Sequence, residues 1–363
     1  MKNIYTKRIL FSLLSVFLLI SSVSAQTADK VDEFINAEMQ KLHVPGVAVA
    51  VIKDGKVIKN KGYGLANVET NTPVTTETVF KIGSISKPII AMGIMLLVEE
   101  GKISLDDKVS KYLDGTPETW KDITVRHLLS HTSGIIREAP GFDPAKIQAD
   151  ADVIKTAYQS PMVFTPGEKY QYCNVGYFSL AEIIRKVSGK PWSDFLTERI
   201  FKPFGMNSTR TTTFAEIVPN RANGYSFINN KLSNSEVYLA LRPSGAFLST
   251  ISDMIKLEAA LNGKDFLKPE TRKLMWTPFK FNDGKDSTYG LGWTIDVVNG
   301  RKRIGHGGSL NGFRSNYARF VEDGVTVIVL TNLAEFDPSR LSTGVAAHYI
   351  PAMAKTNNSA SAQ

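Results

Sequence analysis

The 363-residue chain has one cysteine, Cys173. No internal disulfide can form, so a small disulfide-stapled scaffold is excluded and stability has to come from a packed core. No Cys/His cluster has metal-ligand spacing. "HLLSH" sets His127 and His131 four apart, but Leu128 stands where a zinc-peptidase helix carries glutamate, and the breaker "TSG" follows at once. Both imidazoles therefore read as structural. No block of Lys and Arg interleaves with aromatics, which argues against a nucleic-acid partner. No repeat occurs, and the only low-complexity stretch is a polar tail over 354–363. The longest apolar run, "ILFSLLSVFLLISSV", is about 15 residues, short of the roughly 20 that a bilayer-spanning helix needs.

That run is informative in another way. Lys2, Lys7 and Arg8 precede it, and its last residue, Val23, stands with Ala25 at the spacing of a signal-peptidase site. Residues 1–25 read as a secretory signal peptide, with a periplasmic or secreted product and no membrane span after cleavage. The alternative is an uncleaved anchor. Without 1–25, Lys+Arg falls from 43 to 40 against 35 Asp+Glu, leaving a dispersed net charge of about +5. Such a balance suits weak attraction to anionic material and is equally ordinary as a solubility feature.

The remainder, 26–353, alternates in character. "VPGVAVAVIKDGKVIKNKGYGLAN" (44–67) is a hairpin pattern around Asp54–Gly55. "FKIGSISKPIIAMGIMLLVEEG" (80–101) is a long apolar helix closed by Gly101. Between about 101 and 235 helical stretches dominate, among them "TVRHLLSH", "ADVIKTAYQS" and "YFSLAEIIRKVSG". "ISDMIKLEAALNG" is another helix, strands return in "YGLGWTIDVVNG", "RKRIGHGG", "GFRSNYARFVEDG" and "VTVIVLTN", and "PSRLSTGVAAHYIPAMA" closes the chain as a helix. The pattern implies an α+β fold. One antiparallel sheet of about five or more strands, built from 26–100 and 236–353, is flanked by helices, and a mostly helical domain is inserted at 101–235. A cleft belongs where the two parts meet.

Three clusters could carry chemistry there. Ser84 and Lys87 lie three apart at the head of the apolar helix, near enough for an ammonium to reach a hydroxyl. Backbone N–H groups at a helix start favour an alkoxide or a developing oxyanion. Serine is a poor nucleophile until a base takes its proton. By itself Ser-x-x-Lys also fits a helix cap followed by a surface lysine. Tyr172-Cys173-Asn174 offers a phenol that titrates low beside a lysine and an amide that holds a substrate carbonyl or orients Lys87; a core tyrosine and a turn asparagine fit equally. His306-Gly307-Gly308 ends a strand, with glycines that let a substrate backbone approach, or is a hairpin with a chance histidine.

In this order the clusters resemble the serine β-lactamase and penicillin-binding protein superfamily, in the branch of class C β-lactamases, D-alanyl-D-alanine carboxypeptidases, D-aminopeptidases and related esterases. "EGKISLDDKVSKYL", "ITVRHLLSHTSGI", "FTPGEKYQYCNVGY", "RPSGAFLSTISDM" and "GHGGSLNGF" are similar as well, so the likeness runs over about 30–350. It implies a β-lactamase/transpeptidase-like fold. It also implies an acyl-enzyme on Ser84, Lys87 as its partner, Tyr172 as general base and Asn174 as ligand of the substrate amide. His306, Gly307 and Gly308 then stand in a K-T-G position, and the backbone N–H groups of Ser84 and Ser309 form an oxyanion hole. No metal or other cofactor is implied, and the partner is a small-molecule or peptide substrate. Two features depart from the pattern. The triad reads H-G-G, and a histidine with the ordinary pKa near 6.5 is only partly charged at neutral pH. KM for carboxylate-ended substrates should then rise past about pH 7. No S-D-N occurs, so the class A arrangement is not expected. The chain ends soon after the sheet, so no appended β-barrel is expected. The expected function is an exported serine hydrolase acting on D-amino-acid peptides or amides. A carboxylesterase, a weak β-lactamase and a non-catalytic penicillin-binding sensor are the alternatives.

Overall fold

The computed structural model describes residues 30–353 apart from 144–145, 147, 212–215, 236–242 and 246. The leader expected at 1–25 and the polar tail at 354–363 lie outside the described residues. In chain order a first helix, α1 (30–41), precedes the hairpin strands β1 (Gly46–Lys53) and β2 (Lys56–Asn67). Short strands β3 (Thr72–Pro73) and β4 (Phe80–Lys81) lead into α2 (Ser86–Glu99). Then come α3 (Val125–Leu129), α4 (Asp150–Ala157), α5 (Asn174–Ser188) and α6 (Trp192–Leu196). A second hairpin, β5 (Tyr225–Ile228) and β6 (Lys231–Asn234), is followed by β7 (Leu248–Ser249), α7 (Ile251–Asn262) and α8 (Pro269–Met275). The chain returns through β8 (Thr294–Val298), β9 (Arg301–Leu310), β10 (Phe313–Phe320) and β11 (Val325–Thr331) to α9 (Pro338–Ala347).

Seven strands form the main sheet in the order β3-β2-β1-β11-β10-β9-β8, and the pairings are antiparallel. The β1–β2 turn is the Asp-Gly turn expected from sequence: Asp54 and Gly55 both take positive φ, 49° and 75°. Alternation sorts the side chains of β1. Val47, Val49 and Val51 face α1 and α9, whereas Ala48, Ala50 and Ile52 face the larger core around α2, α5 and α7. The sequence of α2 is apolar all round, and the helix is correspondingly buried from Ser86 through Leu97. Among the described residues no helix is long and apolar enough to cross a membrane.

Two local readings change. Ser84 does not lie on α2 itself but in a 3-10 turn, Gly83–Ile85, that runs straight into it. The stretch 101–235 is not helical to its end. It closes in the β5–β6 hairpin, whose Asn229–Asn230 turn has φ of 53° and 63°.

Candidate active site

The reactive pair is built by the turn before α2. Lys87 is fully buried, and its Nζ donates to Ser84 Oγ at 3.2 Å and to the Ser244 carbonyl at 2.9 Å. Aromatic rings close over the ammonium: Nζ lies 4.5 Å from the centre of the Tyr172 ring and 5.4 Å from that of Tyr177. The surface-lysine alternative is thereby excluded. Gly83 has φ of 54°, and a Cβ on it would lie 2.7 Å from the backbone N of Ser309. The 3-10 turn therefore abuts β9, so that the Ser84 and Ser309 amides border the same cleft. β8 pairs with β9 only as far as Gly305, which leaves the outer edge of β9 from His306 to Leu310 without a strand neighbour among the described residues.

Tyr172 is positioned by His131. The His131 carbonyl accepts from Gln171 N–H at 2.9 Å, and its Nδ1 accepts from Cys173 N–H at 3.0 Å, so its two acceptors bracket Tyr172 along the chain. The His131 and Tyr172 rings lie 4.3 Å apart. Burial, followed by the Lys87 charge, holds the His131 imidazole neutral, well below its ordinary pKa. Burial pushes the Tyr172 phenol up, with a hydrogen bond to Ser84 pulling the other way. This corrects the expectation of a phenol that titrates low beside a lysine: in the resting site Tyr172 holds its proton. Cys173 caps α5, with Sγ accepting from Gly176 N–H at 3.3 Å, and burial pushes its thiol up to about 12.

Asn174, the first residue of α5, presents its amide to the cleft and donates through Nδ2 to Glu138. The Arg137 guanidinium lies over the Tyr172 ring, 5.3 Å from its centre. Arg137 and Glu138 line the cleft although the sequence pattern singled out neither.

His306 is where the structure departs furthest from expectation. It is buried on β9 with both ring nitrogens engaged, Nε2 with Tyr289 Oη at 2.8 Å and Nδ1 with the Gly307 carbonyl at 2.6 Å. Burial, then the Lys87 charge, pushes its pKa down to about 3. The ring is neutral at physiological pH, so Nδ1 donates to the carbonyl and Nε2 accepts from the phenol. A partly charged imidazolium waiting for a carboxylate is not what this site contains, and the expected rise in KM loses its basis. The two glycines also differ. A Cβ on Gly308 would lie 2.0 Å from the Ile82 carbonyl oxygen, so its bareness seats the Ser84 turn on β9 rather than a substrate. A Cβ on Gly307 would meet nothing closer than 3.9 Å, and this position does leave the cleft open.

The cleft measures about 500 Å³, and Ser84, Tyr172, Asn174, His306 and the residues from Gly307 to Leu310 line it, with Lys87 beneath. Sequence reasoning missed the Ser244 carbonyl, Tyr289 and the positioning role of His131. The phrases "RPSGAFLSTISDM" and "ITVRHLLSHTSGI" contained Ser244 and His131, but their partners lie far away in sequence.

This geometry has counterparts. A family profile described as Beta-lactamase matches residues 31–349. Penicillin-binding protein 4* of Bacillus subtilis (strain 168) is 31% identical over 309 residues, covering 79% of this chain and 68% of that protein. The chain spans about two thirds of the length of the curated relatives it matches, 68% and 66% for the first two. Among solved structures, the octameric penicillin-binding protein homologue from Pyrococcus abyssi superposes with a TM-score of 0.77 at 30% identity, over 89% of this chain and 77% of that one. A D-stereospecific amidohydrolase from Streptomyces sp. superposes with a TM-score of 0.68 at 25% identity, over 82% and 92%.

Proposed function

The chain belongs to the beta-lactamase family of serine hydrolases, and from that premise we propose that it cleaves D-amino-acid peptides or amides through an acyl-enzyme on Ser84. The observation that carries this reading is the contact of Ser84 Oγ with the buried Lys87 ammonium, at 3.2 Å, beneath a phenol held protonated. Lysine acts as a base only from its neutral form. In that form Lys87 takes the Ser84 proton while Oγ attacks the carbonyl carbon. Tyr172 then donates its proton to the departing nitrogen as the C–N bond breaks, and Lys87 returns a proton to the phenolate. Water hydrolyses the ester by the reverse relay. The carbonyl oxygen sits between the Ser84 and Ser309 amides. Asn174 takes the substrate amide, and the Glu138 carboxylate it holds suits a substrate ammonium. The D-configured substrate class draws on the likeness to the penicillin-binding protein and the D-stereospecific amidohydrolase.

A carboxylesterase is the second reading, favoured by one observation: His306, standing in the position of a fixed cation, is neutral with both nitrogens committed. The composition of residues 1–25 supports export to the periplasm or medium, which N-terminal sequencing of the mature protein tests. For the activity, amine release from D- and L-alanyl amides and p-nitrophenol release from p-nitrophenyl esters are measured with the wild type and Ser84→Ala. A D-over-L preference of about 100-fold or more that disappears with Ser84→Ala supports the proposal. Ester turnover without amide cleavage would replace it with the esterase reading.

A further inference from the structure

A second cavity, of about 470 Å³, opens between α8 and the start of β9. Pro269, Arg272, Lys273 and Trp276 line it from the helix and its C-cap, at the i, i+3, i+4, i+7 spacing that puts four side chains on one face. Lys302 and Ile304 line it from β9, two apart and therefore on one side of the strand. The cavity is separate from the cleft: Lys302 and Gly308 stand six residues apart on β9, about 20 Å.

One wall is cationic. Arg272 reaches the end of α7, where its Nη1 donates to the Leu261 carbonyl and, at 2.6 Å, to the Gly263 carbonyl. Its Nε and Nη2 have no hydrogen-bond partner among the described residues. The same holds for the Lys273 and Lys302 ammonium groups, and none of these three cations forms an ion pair there. Lys302 differs in this from its neighbours on β9: Arg301 is neutralised by Asp323 at 2.7 Å and Arg303 by Asp296 at 2.6 Å. Among the described lining residues the only carboxylate is Glu322, so three cations against one anion leave two net positive charges.

The floor is apolar and aromatic. Leu261, Ile304 and the half-buried Trp276 form it. The indole is held in place: the Arg319 guanidinium lies 4.3 Å from its ring centre, and Trp293 meets it edge-on at 6.5 Å. Arg319 is itself buried, and its Nη1 has no hydrogen-bond partner among the described residues. We propose that this cavity binds a phosphate monoester of an aromatic alcohol, its ring on Trp276 and its phosphate on Arg272, Lys273 and Lys302. The free Nε and Nη2 of a guanidinium form a planar fork that takes two oxyanion oxygens at once. A phosphate monoester carries nearly two negative charges at neutral pH, which matches the surplus of the lining, whereas a carboxylate supplies one. The proposal does not depend on the chemistry at Ser84.

The full chain is titrated by calorimetry with 1-naphthyl phosphate, 1-naphthol, 1-naphthoate and inorganic phosphate. The ester should bind one per chain. Removing its phosphate or its ring should weaken binding about tenfold or more, and the carboxylate should fall between. Arg272→Gln should weaken the ester about tenfold and Lys302→Gln about threefold, with the affinity for 1-naphthol unchanged in both. Lys302 is exposed and its ammonium has no partner among the described residues, so Lys302→Gln should keep the wild-type urea midpoint. That variant keeps the test decisive if Arg272→Gln loosens the junction of α7 and α8. 1-Naphthol or 1-naphthoate bound as tightly as the ester, no binding of the ester, or wild-type affinity for the ester in Lys302→Gln overturns the inference.

Discussion

Gly308→Ala tests how the nucleophile is seated. The new Cβ would lie 2.0 Å from the Ile82 carbonyl oxygen and 2.1 Å from Ser315 Oγ, two atoms that are themselves hydrogen-bonded at 2.7 Å. Ordinary contact needs more than a further ångström, so either the Gly83–Ile85 turn or β10 has to move. Overpacking of this kind costs about 1–3 kcal/mol, and losing the Ser315 hydrogen bond adds about 1 kcal/mol. Urea unfolding should therefore show a loss of about 3 kcal/mol. The turn carries Ser84 and abuts the Ser309 amide, so a displacement near 1 Å should slow acylation by about 10²-fold. Gly307→Ala is the control, because its Cβ meets nothing closer than 3.9 Å and its stability should stay within about 0.5 kcal/mol. The assay pairs urea unfolding with the second-order rate of labelling by a fluorescent penicillin. Wild-type stability and labelling in Gly308→Ala would refute the argument that the glycine seats the turn.

Glu258→Ala should cost about 3–5 kcal/mol in urea unfolding, because it strands the buried Arg319 guanidinium, whose Nε donates to the Glu258 carboxylate at 2.9 Å. Burial raises the Asp150 carboxyl to about 7, with Trp192 Nε1 donating to it at 2.7 Å. Between about pH 4 and 7 the unfolded chain has released this proton and the folded chain has not, so stability falls as pH rises across that window. Asp150→Asn should accordingly be more stable than the wild type by on the order of 2 kcal/mol at pH 8, with the difference vanishing toward pH 4; equal curves would contradict the shift. Because His306 is pushed down to about 3, KM for a carboxylate-ended substrate should show no step near pH 6.5 that is absent for its amide-capped analogue. A step that His306→Gln removes would restore the imidazolium reading.

What could be read from sequence was local. Asp54–Gly55 announced its hairpin because only that turn type needs two positive φ values in a row. The turn at Asn229–Asn230 also takes two positive φ values, but it lacks the glycine that marks such a turn in sequence, and its flanking strands are four residues each and half exposed. Ser84 and Lys87 were legible because a helical turn fixes their spacing. The environment that gives them meaning was not. The Ser244 carbonyl that accepts from Lys87 lies 157 positions away, and the Glu138 partner of Asn174 lies 36 positions away. The charge of His306 depended on Tyr289 and on burial, which no tripeptide reveals. Residue types came from the sequence, and protonation states from the fold.

The central claim is that Ser84 becomes acylated. Intact-protein and peptide mass spectrometry after incubation with a fluorescent penicillin tests it most directly, with Ser84→Ala alongside. The account expects one adduct, located on the peptide that contains Ser84 and missing from Ser84→Ala. No adduct, or an adduct that persists in Ser84→Ala, would contradict it.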